Sequence, residues 1–173
     1  MAVLFVFLVC AASLYALDIM AGISYIQPAS LSQIKQAFKD KDLSALLEGH
    51  QVMIHGAVTD NLFNAGLELG VEMHADSDYV PVPVGRAYAG LRIRPFEYFA
   101  ASADIGYQLT LLDNHLFADD LIWRFAGEMV LSHVSVELFT ILPVPTDQGF
   151  RAVFNLGDAM QNARLGLSAS YKF

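Results

Sequence analysis

The sequence predicts an all-β chain: a closed antiparallel transmembrane β-barrel of eight strands, with ten as the alternative, and one helical insertion near residues 30–48. Three observations carry this. Hydrophobic residues make up 55% of the 173 and charged residues only 16%, against roughly a quarter charged in average soluble domains, and the mean hydropathy is +0.43. Beyond residue 17 the apolar content never gathers into the run of about 18 or more residues that a membrane-spanning helix needs; it is spread in alternation with small and polar residues. The charges of the alternating segments fall on one face only.

The opening segment, "MAVLFVFLVCAASLYALD", has a compact apolar stretch followed by small residues, the shape of a secretory signal, although it lacks the positive start of one. Cleavage falls between about 12 and 17, after Ala12 or less well after Ala16, leaving a barrel domain over 18–173. A lipoprotein box around Cys10 fits less well because Val9 is large, and the remaining alternative is a buried N-terminal strand or helix. Cys10 is the single cysteine of the chain. The rest therefore has no thiol for disulfides, zinc ligation or nucleophilic catalysis.

Along the remainder, Ile19, Ala21, Ile23 and Tyr25 alternate as a first strand, ended by Pro28. The period then changes. In "SLSQIKQAFKDKDLSALLE" (30–48), Leu31, Ile34, Phe38, Leu43, Leu46 and Leu47 follow helical spacing, with Ser30 or Ser32 as N-cap. After Gly49 the period returns to two. "NAGLELGVEMHA" sets Ala65, Leu67, Leu69, Val71 and Met73 against Asn64, Gly66, Glu68, Gly70, Glu72 and His74. "GRAYAGLRIR" and "YFAASADIGYQLTL" alternate as cleanly across the turn "RPFE". Weaker strands are expected at 50–58, 119–131, 133–142 and 149–156, and the last, "ARLGLSASYKF", runs to the C-terminal Phe173. The total is nine, whereas such a barrel closes with an even number.

The polar faces carry Glu68, Glu72, Arg86, Arg92, Arg94, Asp104, Arg124, Glu128, Glu137, Arg151 and Arg164, interleaved with glycine and serine. The opposite faces are free of charge over roughly ten residues, about the length of a tilted membrane-crossing strand. A polar face that mixes small residues with charges of both signs suits a narrow interior where the charges pair. Closure also leaves no unpaired edge for lipid to reject.

"LGLSASYKF", with its final aromatic, resembles the terminal strand of bacterial outer-membrane β-barrel proteins. "YAGLRIRPFEYFAASADIGYQL" is similar to the strand, turn and strand of small barrels of the OmpA, OmpX and OmpW kinds. The resemblance implies export to the outer membrane, contact with its lipid, a monomeric barrel, and a terminal strand read by the barrel assembly machinery through Tyr171 and Phe173. With nine strands, "RPFE" would lie at the end opposite the C-terminus, whereas these barrels keep short turns on the periplasmic side.

For chemistry, "SHVSVE" places His133, Ser135 and Glu137 on one strand face, with Asp147 beyond. A His-x-Ser followed by an acid resembles the constellation of outer-membrane lipid A deacylases, but Val136 and Pro143 stand where asparagines are expected, and Asp147 replaces a glutamate. His133, Ser135 and Asp147 are thus the outlying catalytic candidates, and the simpler reading is a set of interior polar residues. His50, His55, His74, His115 and His133 show no metal-binding spacing, and the acidic stretch around Asp113, Asp119 and Asp120 lacks calcium-loop spacing. No cofactor motif is present. A formal net charge of −8 without a basic cluster argues against nucleic acid. The expected function is a structural or envelope-interaction role for a barrel whose interior is filled by paired arginines and acids. The alternatives are a porin-like narrow channel or lateral conduit for small hydrophobic molecules, a lipid A deacylase-like hydrolase, and a soluble lipocalin-like barrel with its apolar face inside.

Overall fold

A computed structural model describes residues 17–27, 31–40, 50–73, 81–112, 115–145, 160 and 162–173. Eight strands follow in order: β1 (Asp18–Ile26), β2 (His50–Thr59), β3 (Phe63–Met73), β4 (Val82–Phe96), β5 (Phe99–Leu112), β6 (His115–Leu131), β7 (Val134–Pro145) and β8 (Arg164–Lys172). Each pairs antiparallel with its neighbours in sequence, and β1 pairs with β8, so the sheet closes. Helix α1 (Leu31–Asp40) lies between β1 and β2. It is shorter than the expected 30–48, and residues 41–49 lie outside the described residues. Among the described residues no helix is long and apolar enough to cross a membrane.

The nine expected strands reduce to eight because β7 pairs directly with β8, from Val134↔Tyr171 to Ile141↔Arg164. The segment expected as a strand at 149–156 lies outside the described residues, and the sheet closes without it. This corrects the placement of "RPFE". The β4–β5 turn lies at the same end as the β2–β3 and β6–β7 turns and both ends of the barrel, Asp18 and Lys172. Of the four connections at the opposite end, three are longer and the β5–β6 connection spans two residues.

The three short turns show why the sequence reverses where it does. Asp60 Oδ1 accepts hydrogen bonds from the backbone N–H of Leu62 and Phe63, both at 2.6 Å, an Asx turn that starts β3. Arg94 donates to the backbone carbonyl of Glu97 across the next turn. Ser132 takes the left-handed conformation, φ 57°, in the two-residue β6–β7 turn. His133 sits in that turn, exposed, and not on a strand face as expected.

Candidate functional site

Because a strand's side chains alternate, each strand contributes one face to the barrel interior and one to the outer wall. Leu91 is 73% exposed on the outer wall and its neighbour Arg92 only 5% exposed in the lumen. The same holds for Leu67 beside Glu68 and for Ile105 beside Asp104. A soluble barrel of the lipocalin type would have the reverse arrangement.

Three arginines organise the lumen. Nearest the turn end, Arg92 donates twice to Glu128 Oε2, from Nη2 at 2.7 Å and Nε at 3.2 Å, and its Nη1 donates to the Asp60 carbonyl at 2.8 Å. One side chain thus ties β4 to β6 and to the β2–β3 turn. Halfway up, Arg124 on β6 pairs with Asp104 on β5 at 3.2 Å and with Glu137 on β7 at 2.6 Å. Higher still, Arg86 pairs with Glu68 at 3.2 Å, donates to Gln108 at 2.9 Å, and also donates to Gln51. At the barrel seam Lys172 meets Asp18 at 2.7 Å. Burial strips the charges around Arg92, Arg124 and Arg86 of water, so each is tolerable only because it is paired and hydrogen-bonded.

The middle layer rests on glycines. The Arg124 guanidinium lies over the ring of Tyr88, 4.5 Å from its centroid, and over that of Phe139 at 4.4 Å, stacking on both. Tyr88 lies against Gly66 and Phe139 against Gly166. A Cβ at either glycine would collide with the ring. Asn64 and Ser102 hold Asp104 from the other side, at 3.1 and 3.0 Å, and Ser168 donates to Glu137 at 3.2 Å.

Ile26, Met53, Val84, Ile122, Phe139 and Ile141 form a buried apolar cluster packed beside the Arg124 and Arg86 layers, with Phe139 under the Arg124 guanidinium and Met53 against Arg86. Within the charged layers lies a cavity of about 20 Å³. That is space for about one water molecule.

The outer wall is uncharged on its described strand faces, and its one non-aromatic hydroxyl, Thr140, donates to the Arg164 carbonyl at 3.1 Å. Aromatics mark the two ends of the wall. Phe63, Phe96, Tyr98, Phe99, Tyr171 and Phe173 are exposed at the turn end, and Tyr25 and Tyr107 towards the loop end. Phe99 and Tyr107 lie eight residues apart on β5, about 27 Å along a strand, or about 20 Å along the axis at the usual tilt. Tyr25 stacks on His50 with centroids 5.5 Å apart and shares a hydrogen bond with its Nδ1. Tyr171 stacks on His133 at 6.0 Å and meets Phe173 edge-on at 5.2 Å.

Among the residues expected to line the interior, the structure brings together Glu68, Arg86, Arg92, Asp104, Arg124, Glu128 and Glu137 in these layers. Glu72 accepts from Gln51 near the loop end. Arg94 binds its own turn, and Arg164 is half-buried at the loop end of β8. Arg151 lies outside the described residues, as does Asp147. His133 and Ser135 do not form a dyad: the His133 Nδ1 is 2.9 Å from Ser132 Oγ, and Ser135 Oγ is buried in the lumen with no hydrogen-bond partner among the described residues. Gln51, His55, Asn64, Tyr88, Gln108 and Ser170 also line the interior, and they carry no formal charge to mark them in the sequence. For Asn64, Tyr88, Gln108 and Ser170 the signal is parity, because each shares the alternating face of a charged residue and a glycine on its strand, whereas β2 offers Gln51 and His55 no such neighbour. Among the described residues no group of His, Cys, Asp and Glu is arranged to hold a metal.

No family model matches the chain, and no curated protein does. Among solved structures it is similar to the crystal structure of Neisserial surface protein A (NspA), with 10% sequence identity and a TM-score of 0.43, covering 91% of this chain and 97% of that one.

Proposed function

We propose that this chain is an outer-membrane β-barrel of a diderm bacterium, exported by its N-terminal segment and acting as a sealed, monomeric envelope barrel whose loops make its contacts. The observation that carries this is the inversion of the wall. Charges are paired inside, and an uncharged, aromatic-edged surface faces outward, as a barrel in lipid requires. The apolar wall fits outer-membrane lipid. Tyr171 and Phe173, exposed at the end of β8, fit a role in recognition by the barrel assembly machinery.

A structural role is preferred over a channel because the lumen holds three layers of ion pairs with an apolar cluster packed beside them. A lipid A deacylase-like activity is disfavoured by the separation of His133 from the buried Ser135. The test is to refold the purified chain into detergent or liposomes. A heat-modifiable shift in gel mobility is expected, with no steady current in a planar bilayer. A chain that stays soluble and unshifted without detergent would overturn the membrane reading. A steady conductance would overturn the sealed lumen alone.

A further inference from the structure

The ion pairs leave a polar gap among them. The cavity of about 20 Å³ is lined by, among others, His55, Ala57, Tyr88, Glu128, Glu137 and Ser170. His55 is 8% exposed. Its Nε2 lies 2.7 Å from Ser170 Oγ, but its Nδ1 has no hydrogen-bond partner among the described residues. Glu128 and Glu137 face each other directly across the β6–β7 pairing, an unfavourable placement for two carboxylates unless something lies between them and other groups. Each already has a cationic partner, Arg92 or Arg124. Each nevertheless has lone pairs to spare, since a carboxylate accepts at about four sites.

We infer that this cavity is an internal water site, in which one water accepts a hydrogen bond from His55 Nδ1–H and donates to the Glu128 and Glu137 carboxylates. The size is right for one water and too small for an organic ligand, and the walls offer the two to four polar partners that a buried water needs. Hydrogen-bond direction then fixes the histidine tautomer. A water that donates both its protons to carboxylates must accept from His55, so the proton sits on Nδ1 and Ser170 donates to Nε2. The water thus joins β2 to β6 and β7 across the lumen. This rests on the ion-paired interior and not on the membrane location, so the gel-shift test above can fail without touching it.

Ala57, whose side chain lines the cavity, allows a test of sign. If the cavity holds water, Ala57→Val expels it and strands His55 Nδ1, so the refolded variant should melt a few degrees lower. Ala57→Ser puts a hydroxyl in the water's place and should melt at or above the parent. If the cavity is dry, Ala57→Val fills a void and melts at or above the parent, which would overturn the proposal. Should both variants melt lower because the backbone resists any larger side chain, a crystal structure of the parent decides. Density for a water within hydrogen-bond distance of Nδ1 supports the site, and an empty cavity overturns it.

Discussion

Removing the Arg124 guanidinium should damage this barrel more than any other single change in the lumen. In Arg124→Met the side-chain volume is roughly kept, but Asp104, 0% exposed, and Glu137 lose their common cation. Breaking a buried pair by removing one partner costs about 3–5 kcal/mol, because the remaining charge is left uncompensated. Here two carboxylates depend on one cation, and its stacking on Tyr88 and Phe139 adds about 1 kcal/mol. Asn64, Ser102 and Ser168 still donate to the carboxylates and offset part of this. About 4 kcal/mol is the expected net loss, roughly a thousandfold in the folding equilibrium. It can be read from urea titration of the refolded protein in detergent, with the fraction folded taken from heat-modifiable gel mobility. Neutralising the orphaned acids, in Arg124→Met with Asp104→Asn and Glu137→Gln, should restore most of the loss, since replacing a whole ion-pair cluster is often near neutral. A loss below about 1 kcal/mol in the single variant, or no recovery in the triple, would refute the reasoning that Arg124 holds two desolvated charges.

Other outcomes follow from the same layers. Leu67→Arg, in the middle of the outer wall, should cost about 2–4 kcal/mol in lipid, whereas Leu131→Arg at the turn end should cost no more than about 1; equal costs measured in vesicles would contradict the placement of the wall. Gly166→Ala should destabilise by about 1–3 kcal/mol, because the new methyl strikes Phe139. The double variant with Phe139→Leu should recover part of that, a coupling that a double-mutant cycle measures. Ser135→Ala should be neutral to about 1 kcal/mol stabilising, since it deletes a buried hydroxyl that has no hydrogen-bond partner; any deacylase activity that disappeared with it would revive the enzymatic reading. Asp60→Ala removes the acceptor of two turn N–H groups and should cost about 1 kcal/mol in the same urea titration.

Side-chain direction was legible from the sequence alone. Strict alternation in "NAGLELGVEMHA", "GRAYAGLRIR" and "ARLGLSASYKF" assigns every residue of a strand to one of two faces, because the period of a strand is two whatever it pairs with. That was enough to put Arg86, Arg92 and Arg124 on the face opposite Leu67, Leu91 and Leu167, and to mark the chain as a barrel. It was not enough to count the strands. A weakly alternating stretch such as 149–156 looks the same whether or not it joins the sheet, and only the direct pairing of β7 with β8 excluded it from the closure. The extra strand had also reversed the expected end for "RPFE". The partners of the charges were beyond sequence as well. Arg124 meets Glu137 diagonally on the adjacent β7 and lies over Tyr88 on the non-adjacent β4 because tilt and closure bring these side chains together in one narrow lumen. Local pattern fixes which way a side chain points, whereas the register of eight strands decides what it meets there.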